Sequence, residues 1–161
     1  MQLRYSNNRK VFITGGASGF GLGTAKELVA IGAQVIIADI NEDSLENAKK
    51  EINSDLVGTC VVDVCNKDSL NTAINDAAVK MGGLDTLINS AGVFEFRKLE
   101  EISEQEWDWI MDINAKGTFL AIQAAMPYLK ESKNGRVVNL SSDAGKKGFA
   151  MITSYVSSKF A

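Results

Sequence analysis

The chain has 161 residues, 45% hydrophobic and 23% charged, which is typical of an ordinary folded protein rather than a disordered or fibrous one. A formal net charge of -3, with acidic and basic residues interspersed, argues against a nucleic-acid partner. The sequence contains no histidine, which excludes the Ser-His-Asp and Cys-His nucleophile systems and most zinc sites, so no metal site is predicted.

The chain contains no run of about 18 apolar residues that would span a membrane. Its first residues, MQLRYSNNRK, are polar where a signal peptide needs an apolar segment. We therefore expect no membrane partner and a cytoplasmic location. A chain of this length fits one domain, so residues 1–161 are predicted to form a single unit.

Five β-rich runs follow one another along the chain, with helix-like segments between them. The runs are KVFIT (10–14), QVIIAD (34–39), TCVVDV (59–64), LDTLINSAG (84–92) and RVVNLSS (136–142). Alternation of strands and helices, with nearly continuous apolar strands, predicts an α/β protein whose parallel sheet is covered by helices on both faces.

The helical segments have recognisable starts and stops. The first helix is expected to begin near Gly21, the second to begin after Asn41, and the third to end at the sequence MGG. A fourth, longer helical region opens with the Ser103-x-x-Glu106 capping box. Pro127 lies near its end and is expected to bend or finish the helix, because proline lacks the backbone N–H.

A glycine-rich turn, TGGASGFGLG, follows the first run, with Gly15, Gly19 and Gly21 spaced as Gly-x-x-x-Gly-x-Gly. Small residues let the backbone turn tightly and approach a pyrophosphate, whose charge is favoured by the N–H groups at the start of the next helix. A glycine-rich surface turn without a ligand is the alternative, and the glycines alone do not decide between them.

Asp39 ends the second run, where a carboxylate can accept hydrogen bonds from both hydroxyls of an adenosine ribose. A phosphate on that ribose would meet a negative charge, and Ser18 offers no positive charge for it, so NAD is favoured over NADP. Asp39 could instead cap the following helix, but Asn41 is better placed for that role.

Tyr155 and Lys159 lie four positions apart and would share one face of a helix. A nearby ammonium group favours the phenolate form of tyrosine, which makes a usable general base in a protein without histidine. The same spacing is common on solvated helix faces and usually has no function, so it predicts little by itself.

Taken together, these motifs resemble those of the short-chain dehydrogenase/reductase family of the classical NAD-dependent type, over essentially the whole chain. The resemblance implies a Rossmann-type doubly wound parallel sheet in an α/β/α sandwich. The residues that carry it are Thr14-Gly15-x-x-x-Gly19-x-Gly21, Asp39, Asp63-Val64, Asn89-Ser90-Ala91-Gly92, Asn114, Ser142 and Tyr155-x-x-x-Lys159.

The family's cofactor contacts imply that Asp63 and Val64 lie along the adenine. Ser90 stands where the family usually has a second Asn and keeps a shorter hydrogen-bonding side chain on the ribose side. The implied cofactor-binding set is Gly15, Ala17, Ser18, Gly19, Phe20, Gly21, Asp39, Asp63, Val64, Ser90, Ala91, Gly92, Tyr155 and Lys159.

The resemblance also implies four catalytic roles. Tyr155 exchanges the alcohol proton, Ser142 holds the substrate oxygen, and Lys159 supports Tyr155 and binds the nicotinamide ribose. Asn114 interrupts its helix and holds a water that links Lys159 to solvent. From the residues alone, Ser141 could be the exposed serine, and Asn114 could be a polar residue on a solvated face.

The expected reaction is NAD-dependent hydride transfer to or from a secondary alcohol or ketone, with a small polyol, diol or hydroxyketone as substrate. Substrate contacts are expected from the loops 93–98 and 143–153, where four side chains suggest a partly apolar pocket: Phe94, Phe96, Phe149 and Met151. The alternatives are a non-catalytic nucleotide-binding fragment and an NADP enzyme similar to 3-ketoacyl reductases.

Family members continue beyond the Tyr-Lys helix with at least two more strands, a Pro-Gly segment and a lid. We therefore expect this chain to be a truncated piece that lacks the family's last strands, binds NAD weakly and turns over little by itself. The full-length form is expected to be a homo-oligomer.

Overall fold

The computed structural model describes residues 8–161, which contain a five-stranded parallel sheet with helices on both faces. The strands lie in the spatial order β3-β2-β1-β4-β5. They are β1 (Lys10–Thr14), β2 (Gln34–Asp39), β3 (Val57–Val61), β4 (Thr86–Asn89) and β5 (Arg136–Asn139). The predicted fold class, a Rossmann-type doubly wound sheet, is confirmed.

The predicted bounds hold for β1 and β2 but not for the other three strands. β3 begins at Val57 and ends at Val61, whereas β4 and β5 end at Asn89 and Asn139, three residues short of their predicted ends at 92 and 142. The residues directly after these ends form loops along the carboxyl edge of the sheet and make no strand pairing.

The helices are α1 (Gly19–Ala30), α2 (Glu42–Ile52), α3 (Lys67–Met81), α4 (Glu104–Met111), α5 (Gly117–Glu131) and α6 (Thr153–Phe160). Asn41 caps α2, because its side chain accepts a hydrogen bond from the Ser44 N–H. The Ser103–Glu106 capping box at the start of α4 is present, as predicted. A π-helical segment, Asp112–Lys116, joins α4 to α5, so the long helix is interrupted around Asn114.

Of the two outcomes predicted at Pro127, a bend or the end of the helix, the second is wrong. α5 continues through Pro127 to Glu131, and Ser132 is its C-terminal cap. Proline removes one helical N–H, but Ala125 and Leu129 on either side of it are buried in the core and hold the helix in place.

Two apolar layers cover the sheet, because successive side chains of a strand point to opposite faces. Phe12 of β1 belongs to the layer that packs against α3 and α5, whereas its neighbours Val11 and Ile13 belong to the layer that packs against α1 and α2. β5 lies at one edge, and all four of its residues are exposed. Within residues 8–161, no helix is long and apolar enough to cross a membrane.

Candidate active site

A cavity of about 470 Å³ lies at the carboxyl edge of the sheet and is bordered by the segments that follow all five strands. The sheet order changes direction between β1 and β4, and such a switch point is where open α/β sheets bind ligands. Twelve of the fourteen predicted cofactor-binding residues line this cavity: Gly15, Ser18, Gly19, Phe20, Asp39, Asp63, Val64, Ser90, Ala91, Gly92, Tyr155 and Lys159.

The glycine turn packs directly against the backbone that follows β4. Gly15 has a φ of +63°, and a Cβ added to it would lie 2.6 Å from the backbone N of Ala91. A Cβ added to Gly21 would collide with the carbonyl oxygen of Gly15. Gly19 has a φ of +50° and faces open space instead. The missing side chain at Gly21 therefore lets the two ends of the turn pack against each other, whereas Gly19 faces open space beside the turn.

Asp39 lines the cavity and is fixed by two backbone groups. Its Oδ2 accepts a hydrogen bond from the N–H of Ala17 at 3.4 Å, and its Oδ1 accepts one from the N–H of Asn41 at 3.2 Å. Ala17 thus positions the carboxylate without lining the cavity itself. Asn41, and not Asp39, caps α2, which leaves the Asp39 carboxylate facing the cavity.

Asn114 lies in the π-helical segment and is buried, so it does not lie on a solvated face. Its Oδ1 accepts a hydrogen bond from the Val93 N–H at 2.8 Å, and its Nδ2 donates to the Val93 carbonyl and to the Ser158 hydroxyl, both at 2.9 Å. The Ser158 hydroxyl in turn donates to the Tyr155 carbonyl at 2.8 Å. One side chain therefore ties the loop after β4 to the helix that carries Tyr155.

Tyr155 and Lys159 lie on α6 and both face the cavity. The Lys159 Nζ donates to the Leu140 carbonyl at 3.1 Å and lies 5.6 Å from the centroid of the Tyr155 ring. Burial lowers the pKa of Lys159, because the charged form loses water. The ammonium group is thus held between the end of β5 and the phenol.

Ser141 and Ser142 follow β5 and differ in their surroundings. Ser141 is exposed and lines the cavity, whereas Ser142 is half-buried and begins a short helical turn. The Ser142 Oγ accepts a hydrogen bond from the Ala144 N–H at 3.2 Å, and Ser142, unlike Ser141, does not line the cavity.

The structure adds lining and supporting residues that the sequence did not indicate. Buried Ser158 makes two hydrogen bonds in the Asn114 network, and its only signal in the sequence was its place between Tyr155 and Lys159. Of the four side chains expected in the substrate pocket, only Phe94 lines the cavity. Val93, from the predicted loop 93–98, and Ser141, the alternative serine, also line it, and the lining residues without a signal in the sequence are Ile40, Val62, Ile113 and Leu140.

A parallel sheet with a glycine turn after β1 and an acidic residue at the end of β2 defines a Rossmann-type nucleotide-binding fold. The family described as short chain dehydrogenase matches residues 9–161, and the chain belongs to this family of oxidoreductases. The family generally binds a nicotinamide cofactor.

Curated relatives support the same assignment. An uncharacterised oxidoreductase of Mycobacterium bovis is 35% identical over 154 residues, which make up 95% of this chain and 62% of the relative. One of Staphylococcus aureus is 36% identical over 149 residues, which make up 92% of this chain and 64% of the relative. The chain therefore spans somewhat less than two thirds of the length of these relatives.

Two solved structures are similar to this fold. The crystal structure of gox2181 matches with a TM-score of 0.90 at 31% identity, covering 96% of this chain and 62% of that one. A short chain dehydrogenase from Mycobacterium smegmatis matches with a TM-score of 0.89 at 27% identity, covering 96% of this chain and 66% of that one.

Proposed function

We propose that the protein containing this chain transfers a hydride between NAD and a secondary alcohol or ketone, with Tyr155 as the general acid–base. The observation that carries the proposal is that a single cavity is bordered both by the glycine turn with Asp39 and by the Tyr155–Lys159 pair. A nucleotide-binding wall and an acid–base group therefore face the same space. The proposed substrates are small diols, polyols and hydroxyketones.

The residues of the cavity fit a nicotinamide dinucleotide, because the turn is closely packed at Gly15 while Gly19 leaves open space in front of it. By family resemblance, Asp39 would hold the adenosine ribose, Asp63 and Val64 would lie along the adenine, and Ser90 would contact the cofactor on its ribose side. When bound, the nicotinamide supplies or accepts the hydride. The Asp39 carboxylate would repel a phosphate on the ribose, which favours NAD over NADP.

Tyr155 takes the proton of the alcohol oxygen during oxidation and returns it during reduction. The Lys159 ammonium group lies 5.6 Å from the centroid of the Tyr155 ring, so a positive charge lies beside the group that exchanges the proton. Ser142 donates its hydroxyl proton to the substrate oxygen, with the cavity-lining Ser141 as the alternative donor. Asn114 holds α6 in place and, by family resemblance, a water that links Lys159 to solvent.

We also propose that residues 1–161 form one nucleotide-binding domain of an enzyme of about its relatives' length. The single sheet, with both apolar layers packed on it, supports one domain. The full-length enzyme is proposed to act in the cytoplasm as a homo-oligomer.

The acid–base assignment is tested by Tyr155→Phe in the full-length protein, followed through NADH absorbance with small diols and hydroxyketones. We expect kcat to fall by about 10²–10⁴-fold, because the proton acceptor is lost, while the dissociation constant for NAD changes little. Tyr128→Phe is the matched control, since the Tyr128 hydroxyl bonds to Asn75 on α3, away from the cavity. A wild type that binds NAD but neither oxidises the diols with NAD nor reduces the hydroxyketones with NADH would favour the non-catalytic alternative.

The cofactor preference is tested by Asp39→Arg. We expect the ratio of kcat/KM with NADP to that with NAD to rise about a hundredfold, because a guanidinium replaces the carboxylate that repels the phosphate. Asp39→Asn removes the negative charge without adding a positive one and keeps one of the two oxygens that accept from Ala17 and Asn41, so it should change the ratio less. A wild type that prefers NADP would instead support the ketoacyl-reductase alternative.

A further inference from the structure

Phe94 is the aromatic residue of the substrate loop that faces the acid–base group. It lines the cavity with Tyr155, and the two rings pack edge to face with their centroids 5.0 Å apart and their planes at 77°. This geometry is a favoured one for aromatic pairs. Phe94 is nevertheless 56% exposed, so much of its ring surface is free to contact a bound molecule.

The backbone on both sides of Phe94 is anchored. On one side, the N–H and carbonyl of Val93 are both bonded to the Asn114 side chain. On the other side, the Arg97 N–H donates to the Met151 carbonyl at 2.7 Å, and Arg97 forms a parallel bridge with Ile152. The position of Phe94 against Tyr155 therefore does not depend on burial of its own side chain.

The charged groups beside Phe94 are paired with each other. The Glu95 Oε1 accepts hydrogen bonds from the Arg97 Nε at 2.9 Å and Nη2 at 2.6 Å, and the Arg97 Nη2 lies 3.0 Å from the Glu106 Oε1. Neither Glu95 nor Arg97 lines the cavity. The neighbouring lining residues Val93 and Ile113 are apolar, so Phe94 belongs to an apolar stretch of the wall.

We propose, resting on the function proposed above, that Phe94 is a specificity-determining residue that selects substrates with a hydrocarbon substituent on the reacting carbon. A substrate oxygen that reaches the Tyr155 hydroxyl places one of its two substituents toward Phe94. A hydroxyl group there would lose its water and gain no partner, whereas an alkyl group would gain apolar contact. Within the substrate classes proposed above, diols and hydroxyketones with an alkyl group on one side of the reacting carbon are therefore favoured over polyols, which carry hydroxyl groups on both sides.

Three ketones of equal size test this in the full-length protein: diethyl ketone, ethyl hydroxymethyl ketone and dihydroxyacetone, in which hydroxyl groups successively replace terminal methyl groups. The readout is kcat/KM for dihydroxyacetone divided by that for ethyl hydroxymethyl ketone. Intrinsic differences in ketone reactivity cancel when this ratio is compared between a variant and the wild type. Diethyl ketone shows whether a fully apolar substrate is accepted.

We expect Phe94→Asn to raise the ratio by about tenfold or more, since a hydroxyl then finds a hydrogen-bonding side chain, whereas Phe94→Leu leaves it low. Phe96→Asn is the matched control, because Phe96 is exposed in the same loop and lies outside the cavity wall. An unchanged ratio in Phe94→Asn, or an equal rise in Phe96→Asn, overturns the proposal. Failure of the wild type to reduce any of the three ketones would instead overturn the proposed function itself.

Discussion

The two sides of the cavity are built from different kinds of contact. On the glycine-turn side, backbone packs on backbone, as where Gly15 lies against Ala91 and Gly21 against Gly15. On the acid–base side, side chains make the connections, since Asn114 joins the loop after β4 to α6. Backbone contacts leave no room for an added atom, whereas a side-chain network can lose one bond at a time. Substitutions on the first side should therefore be costlier.

The largest effect is expected from Gly15→Ala. The new Cβ would lie 2.6 Å from the Ala91 backbone, and the residue would keep a φ of +63°, which is unfavourable for alanine. We expect the free energy of unfolding to fall by about 2–4 kcal/mol from strain and overpacking together. Urea denaturation followed by circular dichroism measures this loss.

Gly19→Ala separates the two causes, because Gly19 also has a positive φ but has no other atoms within 4 Å of an added Cβ. It should cost about 1–2 kcal/mol, from backbone strain alone. Equal losses in the two variants would show that the contact with Ala91 contributes nothing, and the comparison between the two sides would fail.

An intermediate effect is expected from Asn114→Ala. It leaves the Val93 N–H and carbonyl without their side-chain partner in a partly buried place, which should lower the free energy of unfolding by about 1–3 kcal/mol. Asn71→Ala, on the exposed side of α3, should stay within about 0.5 kcal/mol of the wild type. Hydrogen exchange of the Val93 amide should accelerate in Asn114→Ala but not in Asn71→Ala. An unchanged rate would contradict the anchoring role.

The same contrast explains what the sequence could predict. The glycine turn was predicted because close backbone approach demands glycine at fixed positions, and a positive φ at Gly15 and Gly19 agrees with that reading. β1 and β2 were predicted to the residue because turn and cap residues follow them directly. The predicted ranges of β3, β4 and β5 are longer than the observed strands. Apolar residues such as Leu140 continue past the end of the strand and line the cavity instead.

The acid–base side was less predictable because side-chain networks leave weak signals. Ser158 is an ordinary serine in the sequence, and only the fold brings its hydroxyl to Asn114. Spacing to Tyr155 favours Ser142 over Ser141 in the sequence, whereas the turn after β5 leaves Ser141, and not Ser142, on the cavity wall. Phe94 and Phe96 alternate in one loop, and the anchors at Val93 and Arg97 determine which of them faces Tyr155.

The smallest effect is expected where the acid–base side meets solvent, at Glu106. The Ser103 N–H and hydroxyl, and after them the Arg97 guanidinium, lower the pKa of this carboxyl below its ordinary value. The unfolded chain binds the proton more tightly, so the ionised carboxylate stabilises the fold at neutral pH, and this contribution is lost as pH falls through the lowered pKa. Glu106→Gln should therefore lower Tm slightly at pH 7, and the difference should disappear as pH falls through the lowered pKa. Tm measured between pH 7 and pH 3 tests this, and a pH-independent deficit in Glu106→Gln would mean that the substitution removes the cap rather than the charge.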